Sequence, residues 1–191
     1  MAWHAVVVMA LALLVVAAVA YAVSLYNALI QVKHQVDQAW SNIDVLLKQR
    51  HDELPKLVDA AQAYMGHERS LLEKLTVLRA RAATTGQGED RLATEAALTQ
   101  GVSQLLAVAE NYPQVRANEV FAVLLQRISA LEEQIAHRRE YYNAAVNINN
   151  VRMEQLPDVL LVGLAGLSTR PLFVAQTQER SDVNVGALLA R

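Results

Sequence analysis

The residues able to do chemistry are scattered along the chain rather than grouped. His4, His34, His51, His67 and His137 form no His-Glu-x-x-His pair or other zinc spacing. His51-Asp52-Glu53 and His67-Glu68 place potential ligands side by side, but adjacent helical residues point in different directions. A solvated or locally paired helix surface is the expectation there, with no metal and no cofactor. Gly86-Gln87-Gly88 lacks the third glycine and the preceding strand of a nucleotide loop, and Ser41, Ser70 and Ser103 have no nucleophile signature around them. Glu132-Glu133 sits in a charged helical stretch, where the usual role is solvation. Catalysis is therefore not expected, and no catalytic residue is assigned.

Two arginines stand out by position. Arg50 and Arg138 fall where the apolar stripe of their helices would otherwise continue. An unpaired guanidinium ion buried there would be costly. Asp44, Asp52 and Glu140 are the available carboxylates, so Asp44, Arg50, Asp52 and Arg138 are expected to form a partly buried polar cluster that fixes helix register. The alternative is that the arginine stems cover apolar surface and the heads reach water.

The remaining composition narrows the function classes. The chain has 191 residues, a net charge of −2 and no cysteine. Without a basic surplus to neutralise phosphates, nucleic acid is not an expected partner. Disulfides, thiolate catalysis and cysteine-ligated zinc are excluded. An apolar share of 53% with only 5% aromatic residues favours helix over sheet.

The elements that position these residues begin with an anchor. From Ala5 to Val23 every residue is apolar, and no Asp, Glu, Lys or Arg precedes Lys33. About 20 helical residues cross a ~30 Å hydrocarbon layer. Trp3 and Tyr26 bracket the run about 35 Å apart, as interfacial anchors do, with Tyr21 inside it. Ala18-Val19-Ala20 resembles a signal-peptidase site, but no basic residue begins the chain and no breaker precedes that site. A single permanent span of the cell (inner) membrane is the expected localisation, with the lipid bilayer as a partner. Lys33, Lys48 and Arg50 follow the span, so the positive-inside rule leans towards a cytoplasmic domain.

Beyond the anchor, Leu25, Leu29, Val32, Val36, Ala39, Ile43 and Leu46 alternate steps of three and four, a bundle-packing stripe. The spacing predicts helices over about 25–53, 56–82, 91–110 and 116–153, with Asn118 as a cap and a loop over residues 83–90. Pro55 reads either as a kink or as a chain reversal. No alternating strand pattern appears. The fold class is thus all-α: an N-terminal transmembrane helix continuing into an antiparallel up-and-down bundle of three to four helices. The expected divisions are an anchor at 1–26, a bundle at 27–155, a short apolar segment at 156–173 and a tail at 174–191.

Val159–Leu167 is too short to span a bilayer. It reads as a helix capping the open bundle end. It also reads as a contact with the membrane or a neighbouring subunit through Leu160, Gly163, Gly166 and Leu167, the glycines permitting close helix approach.

The ordered pattern of short matches resembles the LemA family across nearly the whole chain. It comprises Tyr26-Asn27, Ala39-Trp40, Ile43-Asp44-Val45, Arg50, Asp52 and Leu54-Pro55, then Leu57-Val58, Tyr64, His67-Glu68 and Arg79-Ala80. Leu106 to Glu110, Tyr112-Pro113, Ala117-Asn118-Glu119, Tyr142 to Val146, Gly163, Gly166, Pro171 and Phe173 complete it. Lys56 stands where asparagine is usual, Ile148-Asn149 replaces tyrosine-asparagine, and Leu167 and Leu172 replace phenylalanines. The resemblance implies a membrane anchor, an antiparallel helical bundle and no established enzymatic activity. It implies membrane-associated interaction: a self-associating scaffold, or an adaptor for a membrane protease or for export or surface-presentation machinery, with an unidentified membrane or envelope protein as partner.

Overall fold

The structure is a computed structural model that describes residues 2–86 and 88–173, apart from the side chains of Ala2 and Arg116. The expected tail at 174–191 lies outside the described residues. Helix α1 spans Ala2–Gln62, α2 Arg69–Thr84, α3 Glu89–Ala109, α4 Pro113–Arg116, α5 Glu119–Glu154 and α6 Val162–Ala165. Single 3₁₀ turns cover Gly66–Glu68 and Asp158–Leu160, and the described residues contain no strand. The chain is an all-α protein whose apolar N-terminal helix continues into an up-and-down helical bundle. It divides into two compact units, residues 2–42 with 140–172 and residues 43–139 with Phe173.

In the second unit four helices share one core. Leu54, Leu57, Ala61 and Met65 come from the end of α1 and the turn after it, Leu72 and Leu75 from α2, Leu98, Val102 and Leu105 from α3, and Phe121, Leu124, Ile128 and Leu131 from α5. These positions recur at three- and four-residue steps, so each helix buries one stripe. Burying one such large side chain contributes about 1.5–3 kcal/mol. From Arg50 on α1 to Tyr64 in the turn after it, and from Glu132 on α5 to Asn118 just before it, the paired contacts advance by the same fourteen residues in opposite directions. Asn118 caps α5 by accepting the Phe121 amide at 3.1 Å on Oδ1. Gly101 allows α2 and α3 to approach closely: a Cβ there would lie 2.8 Å from Leu75 Cδ2.

Pro55 neither reverses the chain nor starts a helix, because α1 runs through it to Gln62. The reversal falls instead at Ala63–Met65. A proline inside a helix has no N–H for the carbonyl four residues earlier, here His51. That carbonyl accepts a hydrogen bond from Arg79 Nε at 3.0 Å. A side chain of α2 thus supplies the donor that Pro55 lacks, and the helix continues.

In the first unit α1 and α5 pair antiparallel. Leu29, Val32, Val36 and Ala39 are buried on α1, and Tyr142, Ala145, Val146 and Asn149 on α5. Trp40 and Tyr142 pack in a tilted aromatic pair with ring centroids 5.7 Å apart, while Leu29 shares a small core with Met153, Ala165 and Leu167. After α5 the chain turns over and comes back along the pair. Asn149 Nδ2 donates to the Ser168 carbonyl at 3.0 Å, and Asn150 holds Arg170 by both its amide and its carbonyl at 3.1 and 3.0 Å. Tyr142 donates its hydroxyl to the Pro171 carbonyl at 3.0 Å. Burial pushes the Tyr142 phenol upward against the opposing charge of Arg170.

Candidate functional site

The densest polar chemistry lies inside the second unit. Arg50 is fully buried, with 0% of its surface exposed. Its Nη2 donates to Glu95 Oε2 and its Nη1 to Glu132 Oε1 at 2.9 Å and to Thr99 Oγ1 at 2.7 Å. Glu95, from α3, is equally buried and gathers two more partners. Arg91 Nε donates to Oε1 at 3.1 Å, and His51 Nε2 stands 3.2 Å from Oε1 and 3.3 Å from Oε2. Arg91 also reaches Asp44 Oδ1 at 3.1 Å through Nη2. Two guanidinium ions thus face three carboxylates contributed by α1, α3 and α5.

The environment sets the protonation of Glu95. Burial pushes its carboxyl up, but the His51 hydrogen bond and the Arg50 charge together outweigh this and hold it below the ordinary value of 4.5. A carboxylate held so firmly ionised is a weak proton acceptor at neutral pH. Its two oxygens are already occupied by Arg50, Arg91 and His51. The arrangement is suited to locking three helices in register through charge-assisted hydrogen bonds. Among the described residues no group of three His, Asp or Glu side chains converges as a metal site. A shallow pocket at the turn from α1 to α2, lined by Gln62, Met65, Gly66, Arg69, Leu72 and Glu73, contains none of the network residues.

The expected polar cluster differs from the observed one in its members. Arg50 lies at the centre, and Asp44 joins through Arg91. Asp52 is exposed on α1, because it is two residues from Arg50 and therefore on another face. Arg138 and Glu140 are exposed on α5. The seven-residue step from Ile135 to Tyr142 admits either 138 or 139 as the inward position, and the helix turns 139 inward: the Arg139 guanidinium lies 4.3 Å from the Phe173 ring centroid. Glu132, read from sequence as solvated, pairs with Arg50, while Glu133 is exposed. His51, read as surface, is buried against Glu95. Glu95, Thr99 and Arg91 were not expected from sequence. Glu95 follows Leu92 by three residues and precedes Leu98 by three, so a carboxylate inside an apolar stripe was the available signal.

Trp3, Tyr21 and Tyr26, expected as anchor aromatics, are all exposed on α1, at 75%, 59% and 38%. The apolar stretch around them is long enough to cross a membrane and none of it is buried, unlike the core helix of a globular protein. In the C-terminal segment Leu160 is exposed, but Leu167 turns inward onto Leu29. Gly166 has φ +62°, the left-handed conformation that ends α6, and a Cβ there would lie 3.4 Å from Lys33 Nζ. Gly163 is exposed, with nothing within 4 Å of a Cβ placed there.

Comparison with known proteins agrees with this architecture. The sequence matches the LemA family over residues 39–186. Two relatives, magnetosome proteins MamQ 1 and MamQ 2 of Paramagnetospirillum magneticum, are 22% identical over 196 residues, covering 89% of this chain and 72% of theirs. Magnetosome protein MamQ of Magnetospirillum gryphiswaldense is 21% identical over 185 residues, covering 82% of this chain and 68% of its own. A family model matched over residues 39–186 shows that this chain belongs to the LemA family, and its exposed apolar N-terminal helix fits a membrane-associated protein.

Proposed function

We propose that this protein is a non-catalytic interaction scaffold, tethered once to the membrane through α1 and self-associating there through α5. The observation carrying self-association is a second apolar stripe on α5. Tyr141, Ala144, Ile148 and Val151 recur at steps of three, four and three and are all exposed. The stripe formed by Tyr142, Ala145 and Asn149 is already buried against the rest of its unit. A helix apolar on two sides needs a second partner. Because a bilayer holds all copies in one orientation, a second copy can meet the same face around a two-fold axis. The polar network supports a non-catalytic role, since its most buried carboxylate, Glu95, has both oxygens held by Arg50, Arg91 and His51. The relatives' description as magnetosome proteins is consistent with a structural task on a membrane.

Disulfide crosslinking tests this directly, since the chain has no native cysteine. Ile148→Cys in native membranes gives a crosslinked homodimer, and Val77→Cys, even more exposed but on α2, does not. Crosslinking of Ile148→Cys to one dominant foreign protein would instead support an adaptor for a protease or export machine. The Lys33 and Lys48 positions favour a cytoplasmic bundle. An impermeant maleimide should then label Thr85→Cys only after cells are permeabilised.

A further inference from the structure

We infer that the turnover between α5 and the returning chain, residues 156–164, is a second lipid contact that penetrates the leaflet from which α1 emerges. The inference rests on the reading of α1 as a membrane span and goes beyond it, because the contact is made by the other end of the chain. Its ligand class is a phospholipid surface, recognised by apolar penetration rather than by headgroup charge.

The placement follows from helix register within one unit. From Trp40 to Leu29 on α1, and from Tyr142 to Met153 on α5, the packed positions shift by the same eleven residues in opposite directions. Glu154, the last residue of α5, is therefore level with about residue 28. Past the end of α5 the chain stays at that level, since Leu161 and Val162 pack on the small core around Leu29. The chain comes back beside Asn149 and Asn150 by Ser168 and Arg170. Residues 156–164 are thus confined to the anchor-side end of the helix pair. If the hydrocarbon layer begins at Ala5, its ~30 Å ends near Ser24. Leu29 then lies about 7 Å beyond it, inside the headgroup zone.

The surface at that depth is apolar. Leu156, Leu160 and Leu164 are 78%, 75% and 74% exposed, and Val159 adds to them. Three large leucines exposed within nine residues would form an unusual water-facing surface, whereas interfacial segments bury such side chains about 5–10 Å into the lipid boundary. The fold presents them deliberately. Ala165 and Leu167 are pulled inward onto Leu29, Asp158 is tied to Arg152 at 3.3 Å, and Gly166 ends the last turn. The neighbouring charges offset one another: Lys33, Arg152 and Arg170 stand against Asp37, Glu154 and Asp158. Anionic lipid is consequently not required.

Nitroxide labels on single cysteines in the full chain, reconstituted into phosphatidylcholine vesicles, report the contact. Leu160→Cys and Leu164→Cys are so exposed that labelling leaves the core intact. Val15→Cys marks the span and Val45→Cys the exposed surface of the bundle. The inference predicts that labels at 15, 160 and 164 collide preferentially with oxygen, and the label at 45 with an aqueous nickel chelate. Nickel-accessible labels at 160 and 164 beside a lipid-embedded label at 15 would overturn the second contact while leaving the anchor. Labels at 160 and 164 shielded from both reagents, and released by diluting the protein with lipid, would overturn it in favour of a second copy. A water-exposed label at 15 would overturn the anchor and the inference together.

Discussion

Pro55 and Arg79 should behave as one device, although they lie on different helices. Pro55 deprives the His51 carbonyl of its helical donor, and Arg79 Nε replaces that donor at 3.0 Å. Replacing Arg79 with methionine keeps much of the apolar stem and removes the donor. A buried carbonyl left without a partner costs about 1–3 kcal/mol, and a lost hydrogen bond from a charged group about as much. Arg79 is only half-buried, so about 2 kcal/mol is expected, or a Tm lower by roughly 4–8 °C for a chain of this size. Pro55→Ala restores an amide that can bond to the same carbonyl, and exchanges the worst helix former for the best, a gain of up to ~3 kcal/mol. In the Pro55→Ala background, Arg79→Met should cost only a few tenths of a kcal/mol, leaving a coupling energy of about 1–2 kcal/mol. Thermal unfolding of the four variants, followed by helical ellipticity in one detergent, measures the cycle. Equal losses from Arg79→Met in both backgrounds would refute the donor-replacement argument, whatever the absolute stabilities.

Arg50→Met should destabilise by about 3–5 kcal/mol, since it takes the cation from the nearly buried Glu132 and leaves Glu95 with Arg91 and His51 alone, and adding Glu132→Leu should recover part of the loss; chemical denaturation of the single and double variants checks both. The lowered Glu95 carboxyl contributes stability that is complete above its ordinary value of 4.5 and lost as pH falls through its lower folded-state value. Glu95→Gln should therefore flatten the acid limb of the stability profile below about pH 4.5, and a limb unchanged by that substitution would contradict the assignment. Gly101→Val should cost on the order of 2 kcal/mol or more, because its branches press on Leu75, itself fully buried; a neutral melting temperature would show that α2 can move away.

The sequence made the helices legible because their apolar stripes repeat at three and four, and the absence of charge before Lys33 did the same for the anchor. Several features escaped for physical reasons. Pro55 carries a strong local signal to break a helix, and only the tertiary donor from Arg79, distant in sequence, overrides it. The network was half visible: a buried arginine in a stripe demands carboxylates, but its sequence neighbours cannot supply them when they lie on other faces of the same helix. Glu95 and Glu132 come from α3 and α5, and their partnership depends on inter-helix register. Arg138 shows the limit of periodicity, since a seven-residue step fits 138 and 139 equally well. The inward turn of Leu167 and the outward exposure of Leu156, Leu160 and Leu164 depend on how the chain reverses after α5, which no repeat encodes.

The proposed scaffold role stands or falls on copy number in the membrane. Full-length chains carrying one fluorophore each, extracted with their surrounding lipid in polymer-bounded discs, can be counted by stepwise photobleaching. The account predicts two or more steps in most discs, reduced to one by Ile148→Glu, which places a charge in the exposed α5 stripe. Single steps for the unaltered chain at native abundance would contradict self-association and leave the adaptor reading in its place.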